Sequence, residues 1–349
     1  MKKYISLMAI AIVAIFASCS NDDITISTSY TINLNAKTVI SSFITVEDGA
    51  LETFDNANEK LRLRTLIYNE NGELVTKDVN YFTNYNTQLK TVTNLSAGKY
   101  TVIGISDVVI MNGSNVETEF YKLSGESKLS EMTITDQNLI GYAARVLGLG
   151  KTSITVADNQ PSSVNLDLQP GGALIYYIVW GTHWASVFGY DVESYVLCTN
   201  KSTDALSFDE SGNYTITENN TSNTFYTQVY IDATEDADNK YYYNFVLPMN
   251  NLKVYNRLLY TDGSWDDIMN GTTLNLAAGD EYVCHLDFYE YKEYYKPVTS
   301  KDDFNRPAVA SSRRTSKVLP NVLGEKMSKE IFNQLNHELK VSDIKQIGN

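Results

Sequence analysis

The side chains best suited to chemistry are few and scattered. Three histidines, His183, His285 and His337, fall in three separate segments. His285 follows Cys284 in a run of alternating strand residues, so the two side chains should point to opposite faces and cannot form a local thiol–imidazole pair. Glu235, Asp236 and Asp238 cluster between two aromatic runs. Grouped carboxylates suit calcium, which takes six to eight oxygens, but the EF-hand register is missing and a solvated turn is the simpler reading. Trp180-Gly181-Thr182-His183-Trp184 and Tyr241-Tyr242-Tyr243 could stack on sugar rings; in a β-protein such rings more often fill the core or bridge strands. Alternation places Tyr241 and Tyr243 on one face and Tyr242 on the other. There is no Gly-x-Ser-x-Gly elbow, Walker loop, dinucleotide fingerprint or His-Glu-x-x-His helix. No acid/base pair can be nominated, and the expectation is a non-enzymatic chain with no catalytic residue, metal or cofactor.

Cys19 has a different setting. Lys2 and Lys3 precede an apolar run from Tyr4 to Phe16, which ends in Ala17-Ser18-Cys19 before the polar stretch Ser20-Asn21-Asp22-Asp23. A charged start, a short apolar core and small residues before the cut describe a secretory signal spanning residues 1–18, too short to cross a bilayer. The cysteine directly after the small residues resembles a bacterial lipoprotein signal. That pattern implies a diacylglyceryl group on the thiol, cleavage before Cys19 and acylation of the new N-terminus. Each buried methylene contributes about 0.8 kcal/mol, so two or three acyl chains make a stable anchor. Ser20, Asn21, Asp22 and Asp23, within an acidic linker over 19–28, resemble the export tag of surface-displayed Bacteroidetes lipoproteins. A solvated linker facing the periplasm is the alternative.

The bulk of the chain sets further limits. Removal of a signal would leave 331 of the 349 residues, enough for two domains and a tail. The net charge of −14 argues against nucleic acid and anionic lipid as partners. That charge is uneven: from Ser300 onward there are nine Lys/Arg and six Asp/Glu, so the final segment is basic. Cys198 and Cys284 could pair in an oxidising compartment or stay as separate buried thiols.

Between Ser29 and Lys296 short runs rich in Val, Ile, Thr and Tyr alternate with Asn, Asp, Gly and Ser, which reads as strands and turns. Tyr30–Leu34, Leu61–Tyr68, Gly98–Ser106, Gly172–Trp180, Phe225–Ile231 and Tyr241–Leu247 are the clearest strands, and Asn69-Glu70-Asn71-Gly72 reads as a hairpin turn. An internal echo divides the chain. Leu66-Ile67-Tyr68 with a turn ending at Gly72 is matched by Leu258-Leu259-Tyr260 with a turn ending at Gly263. Asn94-Leu95-Ser96-Ala97-Gly98-Lys99-Tyr100 is matched by Asn275-Leu276-Ala277-Ala278-Gly279-Asp280-Glu281-Tyr282. The expected organisation is all-β: one sandwich over 29–168, a second over 169–298, and a basic tail over 299–349. The break falls at Pro170-Gly171-Gly172. Met327, Ile331, Leu335 and Leu339 recur every four residues and predict an amphipathic helix in that tail.

The cysteine with its acidic flank, Leu63–Tyr68 followed by Asn71-Gly72, Leu95-x-x-Gly98-x-Tyr100-x-Val102, and Leu168-x-Pro170-x-x-Ala173-Leu174 together resemble the fimbrillin superfamily of Bacteroidales over residues 28–296. The resemblance implies two transthyretin-like or immunoglobulin-like sandwiches and a role in surface fimbriae as anchor, tip or minor subunit. It implies other fimbrial subunits as partners through donor-strand exchange, the outer membrane through lipid on Cys19, and surface glycans or proteins as adhesion targets. Polymerising members lose their first strand to a trypsin-like protease, and the groove accepts a strand from the next subunit. Lys37 is the candidate processing site, placed in a linker-like position after Leu34; no Arg precedes Arg62. The lack of an early Arg favours a member that keeps its anchor. The competing reading is a glycan-binding surface lipoprotein of a polysaccharide uptake system.

Overall fold

The computed structural model describes residues 29–38, 57–85, 87–137, 146–157, 163–182, 192–219, 226–233, 242–288 and 292–307. Cys19, the Ser20–Asp23 stretch, His183, Trp184, the Glu235/Asp236/Asp238 cluster, Tyr241, His337 and the amphipathic segment 327–339 lie outside the described residues. What is described is built of β-strands, with single 3-10 turns at Leu129–Glu131 and Lys301–Phe304.

The first half contributes β1 (Ser29–Thr38), β2 (Glu59–Asn69), β3 (Leu74–Phe82), β4 (Gln88–Ser96), β5 (Gly98–Asn112), β6 (Asn115–Glu119), β7 (Tyr121–Ser124), β8 (Thr133–Asp136), β9 (Gly148–Val156) and β10 (Ser163–Pro170). Seven of them follow the order β3-β2-β5-β9-β10-β1-β4. The sheet folds over itself at β10, whose Ser163–Leu168 stretch pairs with β1 and whose Gln169 and Pro170 pair with β9. Alternation supplies the inner row: Ile32, Leu34 and Ala36 from β1 meet Leu63, Ile67, Val102, Ile154, Leu166 and Leu168. Gly104 of β5 allows this approach, because a Cβ there would sit 2.8 Å from a methyl of Leu166. The expected turn after β2 is present. Gly72 takes φ +74, its N–H donates to the Asn69 carbonyl at 2.9 Å, and the Asn69 side-chain oxygen accepts from the N–H of Asn71 and Glu73.

The second half contributes β11 (Ala173–Trp180), β12 (Val192–Thr199), β13 (Ser202–Phe208), β14 (Tyr214–Asn219), β15 (Tyr226–Asp232), β16 (Tyr242–Val246), β17 (Met249–Tyr260), β18 (Trp265–Leu276), β19 (Glu281–Asp287) and β20 (Lys292–Pro297). Sheets β16-β11-β19-β20 and β15-β12-β17-β18 enclose a core of Ile175, Tyr177, Val179, Leu197, Val254, Leu258 and Leu286. Strand β11 is buried along its whole length, as expected of a strand covered on both faces.

Its other face explains why. Leu174, Tyr176, Ile178 and Trp180 point away from the second sandwich into a third core, shared with Leu66, Tyr68, Ile103 and Ile105 of the first half. A small sheet, β14-β13-β8-β7, adds Leu206, Phe208, Tyr121 and Ile134 to it. In that sheet β13 pairs with β8, Leu206 opposite Ile134, so a hairpin from the second half completes a sheet begun by the first. Strand β10 ends at Pro170 and β11 begins at Ala173, and packing continues across that point.

The internal echo is partly structural. Both hairpins, β2–β3 and β17–β18, close with a positive-φ glycine, Gly72 and Gly263. Both Asn-Leu-x-Ala segments connect strands that are not hydrogen-bonded neighbours, β4 to β5 across the folded eight-stranded sheet and β18 to β19 between two sheets. The halves are otherwise wired differently: β2 is hydrogen-bonded to β5, whereas β17 and β19 lie in different sheets. The start of the tail also belongs to the body. Residues Thr299–Arg306 fold back over the second sandwich, where Asp303 accepts from the N–H of Thr299 and Ser300 and from Lys296 at 2.9 Å.

Candidate functional site

The segment that meets the sequence expectation most directly is β1. Its residues alternate strictly: Ile32, Leu34, Ala36 and Thr38 are buried, while Thr31 and Lys37 are exposed. It lies in the middle of a sheet, between a parallel neighbour and an antiparallel one. Asn33 to Thr38 pair with Ser163 to Leu168 of β10, and Ser29 to Lys37 pair with Ser96 to Gln88 of β4. Removal of β1 would therefore open a slot with a strand edge on each side and an apolar floor, the shape that accepts an alternating strand from elsewhere.

Side chains fix its register. Thr31 Oγ1 donates to Asn94 Oδ1 at 3.0 Å, and Asn35 Nδ2 donates to Ser163 Oγ and Asn165 Oδ1 at 3.0 and 3.2 Å. At the far end the Thr38 hydroxyl donates to the Tyr85 carbonyl and accepts from Thr87 N–H. Lys37 is not in a linker, contrary to its expected position. It is the penultimate residue of β1, its side chain exposed, with Gln88 on one side and Asp167 on the other. Asn35-Ala36-Lys37 has the composition of a strand's end, but burial of Ala36 and Thr38 continues the alternation to the residue after Lys37.

The other residues singled out by chemistry are spent on structure. His285 Nδ1 accepts from Trp180 Nε1–H at 3.0 Å, so Nε2 carries the ring proton and donates to the Asp303 carbonyl at 2.9 Å. Burial pushes this imidazole down to about 4, which keeps it neutral. The two rings stack at 6.2 Å. Cys284 lies on the opposite face, in the second core, where burial raises its thiol above the ordinary range. Cys198 and Cys284 are both buried and neither is in a disulfide, so the pairing left open by the sequence is absent. Trp180, Tyr242 and Tyr243 are buried. Tyr242 and Tyr243 enter different cores, as alternation requires. Among the described residues no group of three or more His, Cys, Asp or Glu side chains could hold a metal.

Two polar clusters escaped the sequence reading. Arg62 grips Asp107 through two bonds at 3.0 and 2.7 Å and also reaches Glu119, while Arg64 adds a bond to Asp107 at 3.1 Å. Asp107 is wholly buried. The signal was available: two arginines two residues apart in an apolar strand share a face. In the second sandwich, Asn256 Nδ2 donates to Glu293 and to the Tyr295 hydroxyl, both at 2.9 Å, and Glu293 also accepts from Gly271 N–H at 2.6 Å. Strand periodicity holds no hint of that convergence, because it depends on register shifts between β17 and β18.

The architecture is that of an all-β protein built from sandwich-like sheets. Searched against protein-family models the chain matches none, and no curated protein matches its sequence. Among solved structures it is similar to a candidate adhesin from Bacteroides thetaiotaomicron, with TM-score 0.43 and 11% identity over 80% of this chain and 98% of that one. A candidate cell adhesion protein from Bacteroides ovatus gives TM-score 0.44 and 12% identity over 78% and 96%. A fimbrial assembly protein from Parabacteroides distasonis gives 0.36 and 15% over 77% and 94%.

Proposed function

We propose that this chain is a non-enzymatic cell-surface protein of the adhesive or fimbrial kind, anchored in the outer membrane by lipid on Cys19 and joined to other subunits by β-strand addition. The observation that carries the reading is the placement of β1: the first described strand fills a slot between β10 and β4 with an alternating apolar face. A chain that keeps β1 has its own slot filled and serves as an anchor or terminal subunit. One that loses it becomes an acceptor. Continuation of β1 to Thr38 and the absence of an early Arg support the first role. The glycan-binding alternative draws no support from Trp180, Tyr242 or Tyr243, whose rings are buried.

The test is direct. A specific protease site is inserted between β1 and β2, the full chain is cut, and a labelled peptide with the sequence of Ser29–Thr38 is added. Uptake of the peptide by the cut protein, and none by the uncut protein, is the expected result. A cut protein that keeps its circular dichroism yet never exchanges its strand would refute strand addition at this slot. The N-terminus of protein taken from cells separates the two roles: lipid-bearing Cys19 marks an anchor, and a start at Thr38 marks a polymer subunit.

A further inference from the structure

Among the described residues the path β3-β2-β5-β9-β10-β1-β4 ends in two edge strands, β3 and β4, and they are treated differently. Beside β3 the segment around Glu126–Lys128 closes in: Leu74 N–H donates to the Ser127 carbonyl at 3.0 Å, Glu73 bridges Lys128, and Lys77 pairs with Glu126 at 2.7 Å. Among the described residues nothing of this kind protects β4. From Gln88 to Leu95 no described residue is hydrogen-bonded along its outer edge, since β4 ends the sheet. Its pairing with β1 runs without a register shift, and the strand contains no Pro. A long, flat, unbulged edge offers a row of N–H and C=O groups to another strand.

The sequence of β4 indicates which strand. Gln88-Leu89-Lys90-Thr91-Val92-Thr93-Asn94-Leu95-Ser96 is nearly symmetric about Val92. Laid antiparallel against a second copy with the two-fold axis at Val92, it sets Thr91 opposite Thr93, Leu89 opposite Leu95, Lys90 opposite Asn94, and Gln88 opposite Ser96. The half-buried row, Leu89, Thr91 and Thr93, would meet its own kind, and Thr–Thr and apolar cross-strand pairs are favourable. Val92, 64% exposed and the most exposed of the large apolar side chains described, would face its symmetry mate. Electrostatics favour the same partner. The chain carries −14, which opposes self-association over most of its surface, yet β4 has no carboxylate and a single cation, Lys90. Across the axis the two Lys90 residues would be four strand positions apart, about 13 Å, beyond the ~8 Å screening length in physiological salt.

We propose that β4 is a self-association edge, pairing antiparallel with β4 of a second copy about an axis at Val92, so that β10-β1-β4 continues as one sheet through two molecules. This contact is separate from strand addition at the β1 slot and leaves that slot untouched.

The experiment uses the full chain in detergent. Opposed residues of an antiparallel pair have Cα atoms about 4.5–5.5 Å apart, within disulfide range. Val92→Cys should cross-link to itself under mild oxidation at least about tenfold faster than Val75→Cys on the protected edge, and the parent chain sets the background of its native thiols. Val92→Lys, at an exposed position, should keep the fold by circular dichroism while weakening the dimer measured by light scattering by about tenfold or more, since it sets like charges face to face. Equal cross-linking at positions 92 and 75 overturns the proposal. So does a parent chain that is monomeric at every concentration, or a dimer that Val92→Lys leaves unchanged.

Discussion

At the scale of single residues, buried charge and a neutral imidazole dominate. Asp107 holds two arginines in a buried site, and its removal takes from Arg64 its ion-pair partner and leaves Arg62 with Glu119 alone. Asp107→Ala should lower the stability of the first half by about 3–5 kcal/mol, read as a shift in the urea midpoint, and Asp107→Asn should recover only part of it. His285 gives a pH signature. Its value in the folded state, about 4, lies below the ordinary 6.5, so the unfolded chain takes up the proton first. The stabilisation is fully present above pH 6.5, declines as pH falls through that window, and is gone below about 4. Its full size is about 3 kcal/mol. Denaturation midpoints measured between pH 7 and 4 should fall more steeply for the parent chain than for His285→Gln, whose amide can take both hydrogen bonds without titrating. Of these features the sequence showed that Cys284 and His285 face opposite ways, because a period of two fixes it. It did not show that His285 lies between Trp180 and Asp303, since those contacts join residues far apart in the chain.

Among elements, β1 is the one on which the proposed function turns. Leu34 is 1% exposed and contacts a core distinct from the other two. Leu34→Ala should cost about 2–5 kcal/mol, with amide exchange accelerated in the first sandwich before the second. Lys37 is paired on both sides, so trypsin should leave the bond after it intact while the sandwich is closed; cleavage as fast as in a denatured chain would show that this end of β1 frays. The strongly alternating and fully apolar strands, β1, β2, β5, β11, β15 and β16, were all legible in the sequence, as was the turn at Gly72. The strands of the small sheet were not. Tyr121–Ser124 and Thr133–Asp136 are four residues each, too short for a period to emerge, and they are strands because β13 comes to them.

For the molecule as a whole, the third core decides how independent the halves are. Residues 29–168 expressed alone would expose Leu66, Tyr68, Ile103 and Ile105, which the second half covers in the intact chain. That fragment should aggregate or bind a hydrophobic dye, whereas the full chain should unfold with coincident transitions by fluorescence and circular dichroism. Separate transitions would show that the third core does not couple the halves. The all-β character with sandwich-like sheets was readable from strand content. The weld between the halves was not, because β11 reads simply as an apolar run and one sequence cannot say which two surfaces it divides.

The parallel pairing of β1 with β10 also has a consequence in time. Asn35 and its partner Asn165 are 130 positions apart, so β1, the first of the described strands, must wait during synthesis for β10, the last strand of its half. Joining such distant segments carries a large loop-closure cost and belongs to the slow part of folding. Until β10 arrives, β1 has at most one flank, and the nascent sandwich stands open beside it. A competing strand present in that interval meets a receptive chain without any need for proteolysis. If subunits join by the proposed strand addition, the order in which the strands emerge matters to assembly as much as their final positions do.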